Sequence, residues 1–213
     1  MTCKICFSHT KKYSDPHSSK TYTHCLNCQC IALEPSFWVS KKDERNQYDQ
    51  HKNSLENEGY VKMFEDFLDF FWKDIVPESP FVLDFGSGPT PVLATLLQRR
   101  GALVTCYDKF YHPDTSFEHH HYDLITSTEV FEHLENPLET LRHLTQHVKN
   151  KGYIAIMTLF HDNSMEIFWK WWYRRDPTHI VFYTPLTLQY LAKQCGLALI
   201  KTDDKRIALF QKT

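Results

Sequence analysis

The chain has 213 residues, a formal charge of −2 and a pI near 6.7, which gives no general attraction to nucleic acid or to an anionic membrane surface. Hydrophobic residues make up 42% and aromatic residues 15%, enough to build one α/β domain with a proper core plus a small module. No apolar run approaches the ~20 residues of a membrane span, and seven cysteines without a signal-peptide core point to thiols or metal ligands in a cytoplasmic protein, not to disulfides.

Residues 1–30 form the first module. Cys3-x-x-Cys6 is followed after eighteen residues by Cys25-x-x-Cys28, the spacing of a four-thiolate zinc ribbon. Zinc takes four soft ligands in a tetrahedron, and each C-x-x-C supplies two from one tight turn. The intervening TKKYSDPHSSKTYT is polar and has little core of its own. Lys4, Lys11, Lys12 and Lys20 against Asp15 leave +3, reduced to +1 by four thiolates and one zinc ion. That is no phosphate-binding patch, so a structural or substrate-covering role is favoured over RNA binding.

Residues 31–76 read as a connector with helices. The charge-dense SKKDERNQYDQHKN is a solvated stretch or helix face, and its Tyr48, His51 and Asn53 are candidates for a lid over a ligand site. Tyr60, Phe64, Phe67, Phe71 and Ile75 keep helical spacing and form a core-facing aromatic stripe, ended by Pro77 and Pro80.

Residues 81–108, FVLDFGSGPTPVLATLLQRRGALVTCYD, organise the remainder. A buried strand over 81–85 runs into Gly86-Ser87-Gly88. A helix follows with Val92, Leu93, Leu96 and Leu97 on one face, and Gly101 sits at the left-handed cap. A second strand over 103–107 ends at Asp108. Paired glycines let a ligand lie against the backbone at the carboxyl end of a strand, where open α/β sheets bind ligands. An acid closing the second strand can accept both hydroxyls of a ribose. Pro91 occupies the third glycine position of G-x-G-x-x-G, which disfavours a nicotinamide dinucleotide, and Gly-Lys-Ser/Thr is missing, which excludes a Walker A loop.

The stretch resembles motif I, D/E-x-G-x-G, of the class I S-adenosylmethionine-dependent methyltransferases. Asp84, Gly86 and Gly88 match, and Thr90 replaces the common third glycine. The resemblance implies that Asp108 holds the ribose and Asp84 lies near the methionine part. Ser87, Lys109 and His51 join them as candidate cofactor-binding residues.

Beyond Asp108, Pro113 and Asp114 mark a turn. The His119–His121 run invites a metal reading, set aside because alternate residues on a short strand face opposite ways. A strand over 123–130 opens into FEHLENPLETL, where Asn136-Pro137-Leu138-Glu139 looks like a helix start. This phrase is similar to the E-V-hydrophobic-E-H segment of ubiquinone-biosynthesis-type methyltransferases. That similarity implies that the backbone near Thr128 and Glu129 meets the methionine part and that His133 is near the reaction centre.

A strand over 153–160 ends at His161, and Asn163 or Ser164 caps a short helix. Its aromatics, Trp169, Trp171, Trp172 and Tyr173, are too many for one helix to bury, so some should line a pocket. Thr184-Pro185 starts a helix closed by Gly196, and 197–201 with 207–211 read as a hairpin. The pattern from His179 to Leu188 again resembles the family.

The resemblance implies an α/β, doubly wound, mostly parallel seven-stranded sheet with a carboxyl-terminal antiparallel strand, in a methyltransferase domain over residues 77–213. It implies S-adenosylmethionine as cofactor and a small-molecule acceptor. His133, His161 and His179 are the candidate bases for a hydroxyl or acidic carbon, and zinc is expected on Cys3, Cys6, Cys25 and Cys28. The competing reading is a zinc-ribbon interaction or RNA-binding protein on a degenerate, non-catalytic fold.

Overall fold

The computed structural model describes residues 1–50, 54–75 and 77–213; the lid candidates His51 and Asn53 lie outside these residues. Two sheets are present. The larger has six strands: β4 (Phe81–Phe85), β5 (Leu103–Tyr107), β6 (Tyr122–Thr128), β7 (Val148–Met157), β9 (Leu197–Thr202) and β10 (Ile207–Lys212), in the order β5-β4-β6-β7-β10-β9. The doubly wound topology is the expected one, but the strand count is six among the described residues, not seven. The segment after β5 forms a turn and a 3-10 helix, Thr115–His119, in place of a further strand. β4, β5, β6 and β7 run parallel, and β10 lies antiparallel between β7 and β9, so the expected hairpin is present.

Alternation along the strands builds both faces of the sheet. Val82 and Leu124 pack with the aromatic stripe of α2 (Glu58–Asp69) and with Leu93, Leu96 and Leu97 of α4 (Val92–Arg99). Their neighbours Leu83 and Ile125 face the other way, toward Leu141 and Leu144 of α5 (Pro137–His147) and Leu188 and Leu191 of α7 (Pro185–Lys193). Each such buried Leu or Phe contributes about 1.5–3 kcal/mol of transfer free energy. Helix starts follow local chemistry. Ser164 caps α6 (Met165–Lys170) through Ile167 N, and Thr184 with Thr187 makes a capping box for α7. Asn136 occupies the cap position of α5 without a side-chain hydrogen bond.

The smaller sheet joins the cysteine module to the rest. Its order is β1 (Lys11–Ser14), β2 (Thr21–His24), β3 (Ile31–Leu33) and β8 (Val181–Phe182). β3 pairs with β8, Ile31 opposite Phe182 and Ala32 opposite Val181. The ribbon strands thus continue past residue 30 onto a strand 150 positions away in the chain. Further bonds seal this junction. Thr187 Oγ1 donates to Cys28 O at 2.7 Å, Lys4 Nζ to Glu135 O at 2.9 Å, and Gln194 to Ile5 O. Arg174 donates to Asp15 Oδ2 at 2.9 Å with both side chains buried. Cys3, Cys25, Cys28, Ile5 and Tyr22 belong to the same apolar cluster as Leu188 and Phe210.

Candidate active site

The parallel strands end at a cavity of about 660 Å3, lined by the Gly86–Gly88 loop, Asp84, Asp108, Thr128, Glu129, His133, Tyr173 and His179. The loop is shaped by the chain itself. Gly86 and Gly88 have φ of 86° and 68°, in the left-handed region that only glycine enters freely. A Cβ on Gly86 would also overlap Val130 Cγ2. Gly86 N and Ser87 N both donate to Tyr107 O, at 2.7 and 3.1 Å, and tie the turn to the end of β5.

Asp108 is the second anchor. Its Oδ2 accepts from Gly88 N at 3.0 Å, and its Oδ1 accepts from Phe110 N at 2.8 Å and Tyr111 N at 3.1 Å. A carboxylate has about four lone-pair sites, so Oδ2 keeps capacity for a ligand hydroxyl while Oδ1 organises the backbone. Asp108→Ala is therefore expected to weaken nucleoside binding by at least the roughly 1.5–3 kcal/mol of one charge-assisted bond; calorimetry with S-adenosylhomocysteine measures it. An unchanged dissociation constant would remove Asp108 from the binding site.

Asp84 is buried. Oδ1 accepts from Thr126 Oγ1 at 3.1 Å, while Oδ2 has no hydrogen-bond partner. Burial, aided by the Asp108 charge, pushes its carboxyl up to about 7. An orphaned buried carboxylate oxygen on the cavity wall suits an ammonium group. Phe110 and Tyr111, next to Asp108, line the cavity and offer ring faces to a purine. The donor and acceptor set thus fits the nucleoside and amino-acid parts of S-adenosylmethionine.

Helix α1 (Lys41–Tyr48) and residues 172–179 form further walls. None of the α1 residues is fully buried, yet the helix is pinned at several points. Glu44 pairs with Lys109 at 2.6 Å and accepts from Tyr48 OH at 2.7 Å, and Gln47 reaches Asp176. Beyond its end, Tyr111 OH donates to Asp49 at 2.6 Å. Lys109, a candidate cofactor ligand, lines the cavity but is paired with Glu44.

The structure brings His133 and His179 together, with ring centroids 4.7 Å apart. Burial, then the neighbouring His179, lowers His133 to about 3. The ring is therefore neutral near pH 7 and a weak base, unlike the near-neutral histidine expected from sequence. His161 is not at the cavity. Its backbone N donates to Tyr183 O at 3.0 Å, and its ring lies between His24 and Phe168 on the ribbon side. Arg174 likewise points to Asp15 and the ribbon.

Sequence reasoning passed over Glu132 and the hydroxyl of Tyr173. Tyr173 OH lies 2.6 Å from Glu132 Oε1 and 2.9 Å from Glu129 Oε2. Burial raises both carboxyls, and the Glu129 charge raises Glu132 further. Glu129 has φ of 52°, a strained backbone of the kind that collects at functional sites. Glu132 was legible within the E-V-F-E-H phrase; Tyr173, 41 residues further on, was marked only as one of four crowded aromatics, and nothing in the sequence paired its hydroxyl with the two acids.

The four ribbon cysteines converge, each offering a sulfur within 4.8 Å of the others. Cys3 and Cys28 sulfurs are 3.5 Å apart and Cys6 and Cys25 sulfurs 3.4 Å apart, close to the ~3.8 Å edge of a tetrahedron with ~2.3 Å zinc–sulfur bonds. Phe7 and Gln29, each directly after a C-x-x-C, both have positive φ, 60° and 66°, so the two knuckles repeat one geometry. The His119–His121 run joins no such group among the described residues.

The strand order, the glycine turn and the terminal acid define a Rossmann-like nucleoside-binding enzyme of the methyltransferase type. Residues 58–202 match the family described as methyltransferase domain, and the chain belongs to that family as an S-adenosylmethionine-dependent methyltransferase. Solved structures agree on the fold. Magnesium protoporphyrin IX methyltransferase (ChlM) from Synechocystis PCC 6803 with bound SAH has a TM-score of 0.57 at 14% identity, over 81% of this chain and 94% of that one. Mitomycin 7-O-methyltransferase MmcR gives 0.59 at 10% identity, over 82% and 59%. An O-methyltransferase family protein from Burkholderia thailandensis gives 0.58 at 14%, over 80% and 63%. At such identities the likeness concerns the fold alone. Curated proteins give no match. No helix among the described residues is long and apolar enough to cross a membrane.

Proposed function

We propose that this methyltransferase acts on a hydroxyl of a small molecule, seated between the cofactor site and the Tyr48, Trp172 and His179 walls. One observation carries the reading: the glycine loop, Asp108, His133 and His179 line a single cavity of about 660 Å3. That volume is of the order that holds small-molecule ligands, and a net charge of −2 gives no general attraction to a polyanion. Two of the structural neighbours, the mitomycin enzyme and the Burkholderia thailandensis protein, are O-methyltransferases, which accords with the same acceptor chemistry.

S-adenosylmethionine supplies a methyl group on a sulfonium. The chain's own contribution is to hold the acceptor oxygen in line with it and to exclude water, which is where much of the rate arises. Trp172 is 65% exposed although it lines the cavity, a position for stacking on a planar acceptor. Trp172→Ala should raise the acceptor KM by about 2–10-fold, the value of one aromatic pair, with S-adenosylhomocysteine affinity unchanged.

The deciding experiment incubates the protein with methyl-labelled S-adenosylmethionine and fractionated cell extract. Label in a small-molecule ether supports the reading; label confined to RNA or protein overturns it. In a cytoplasmic setting the ribbon thiols stay reduced, and zinc on Cys3, Cys6, Cys25 and Cys28 is part of the same proposal, with a structural role. The donor set of four sulfurs within 4.8 Å supports it.

A further inference from the structure

The turn that follows α6 carries an unused cation. Trp172–Arg175 is a short 3-10 helix whose two central side chains are buried and whose two outer ones are exposed. The central pair fixes the turn from two sides. Tyr173 OH meets Glu132 Oε1 at 2.6 Å. Arg174 donates through Nη1 to Asp15 Oδ2 at 2.9 Å, and through Nε and Nη2 to Trp169 O at 3.1 and 2.8 Å. Both outer residues, Trp172 and Arg175, line the cavity.

Among the described residues, two Lys or Arg side chains line that cavity, Lys109 and Arg175. Lys109 is neutralised by Glu44 at 2.6 Å. Arg175 has no hydrogen-bond, ion-pair or ring partner among the described residues. Its chain neighbour Asp176 is engaged elsewhere: Oδ1 accepts from Thr178 N at 2.8 Å and from Thr178 Oγ1 at 2.5 Å, and Oδ2 from Gln47 Nε2 at 3.4 Å. A solvated arginine on an open surface needs no explanation. This one stands on a turn held by a buried ion pair, on the wall of a cavity whose other cation is taken. A guanidinium keeps its charge and offers five N–H donors in a planar fork that matches an oxyanion, and a turn ordered in advance reduces the entropy lost on binding.

We propose that Arg175 is a specificity-determining residue that binds a carboxylate carried by the acceptor, so that the molecule methylated is an organic acid. That the acceptor is a small molecule with a hydroxyl rests on the reading above; that Arg175 takes a carboxylate rests on the turn and its unpaired fork. A carboxylate is favoured over a phosphate because Asp108 and Asp176 line the same cavity, and a doubly charged group would meet about twice the repulsion. The cofactor's own carboxylate is bonded to the carbon that bears its ammonium and follows that ammonium to Asp84 on β4. Arg175 shares its turn with Trp172, on the acceptor's wall, where the indole takes the planar part of the molecule and the guanidinium its charge.

Benzoate and its uncharged isostere benzamide probe the subsite on the full chain loaded with S-adenosylhomocysteine, with binding read by ligand-observed magnetic resonance. Benzoate is expected to bind about 10–100-fold more tightly, the range of one charge-assisted contact. Arg175→Ala should erase that preference, and Arg175→Lys should keep part of it, since a point charge attracts without the fork. S-adenosylhomocysteine affinity should be the same in all three chains. Benzoate binding no better than benzamide overturns the proposal, as does a preference that survives in Arg175→Ala. Weaker S-adenosylhomocysteine binding in Arg175→Ala would give the guanidinium to the cofactor's carboxylate and overturn it equally. The labelled product of the extract incubation separates this inference from the reading beneath it. A methyl ether retained by an anion exchanger at neutral pH and released in acid carries the expected carboxylate. An ether that the exchanger does not retain sinks the carboxylate alone. Label on RNA or protein only, with the benzoate preference present, sinks the small-molecule reading and keeps the subsite.

Discussion

Cys25→Ser is expected to lower the unfolding midpoint of the entire chain in a single transition, not merely to loosen the first thirty residues. A structural zinc site contributes on the order of 10 kcal/mol of apparent binding free energy to folding, comparable to the whole stability of a domain. From the sequence alone the ribbon is a separable module whose loss leaves the main domain folded. The structure couples the two. β3 is hydrogen-bonded to β8, Thr187 holds the Cys28 carbonyl, and Arg174 is buried against Asp15. Losing the ribbon would strand that guanidinium, and breaking a buried pair costs about 3–5 kcal/mol. Elemental analysis should give one ribbon zinc per chain in the wild type and little in the variant, with calorimetry reading the melt. A metal-free chain whose amino terminus resists protease, or two separate melting transitions, would overturn this.

Asp84→Asn is expected to weaken S-adenosylmethionine by about 10²–10⁴-fold, the equivalent of the roughly 3–5 kcal/mol lost when one partner of a buried ion pair is removed. The motivating observation is a buried carboxylate among the residues lining the cavity, with one oxygen that has no hydrogen-bond partner. The pH dependence follows with a definite sign. With its carboxyl pushed up to about 7 by burial, free Asp84 holds its proton below that value. An ammonium ligand needs the carboxylate, so binding releases a proton, and affinity should rise with pH until about 7 and then level off. In the free protein the same raised value makes Asp84's contribution to stability fall as pH rises from about 4 to 7, because the folded state then holds more protons than the unfolded one. Titration calorimetry in buffers of different ionisation enthalpy reads the proton release at pH 6. No release, with affinity flat from pH 5 to 8, would place the ammonium elsewhere.

The glycine loop was readable from the chain because its demands are local. Positive φ at Gly86 and Gly88 and an acid at the end of the next strand are short-range requirements, and periodicity marks the helices that follow. The paired C-x-x-C was readable for the same reason: each knuckle is a turn of a few residues. The sheet has six strands among the described residues; the residues themselves marked those six and a turn at Pro113-Asp114, and the seventh came only from the family resemblance.

What the sequence determined by itself was therefore the kind of ligand: the turn, the ribose acid and the four thiolates are set by residues near one another along the chain. What only the tertiary structure decided was the company each group keeps. His161 ends at the ribbon and not at the cavity because the chain after β7 turns toward Tyr183. His133 is a weak base because the fold buries it and, second, because His179, 46 positions on, is packed against it. Tyr173 bridges Glu129 and Glu132 across more than forty residues. Burial and charge act through space, with energies that depend on every neighbour a group is folded against, and those neighbours are fixed by the packing of helices and strands that lie far apart in the sequence.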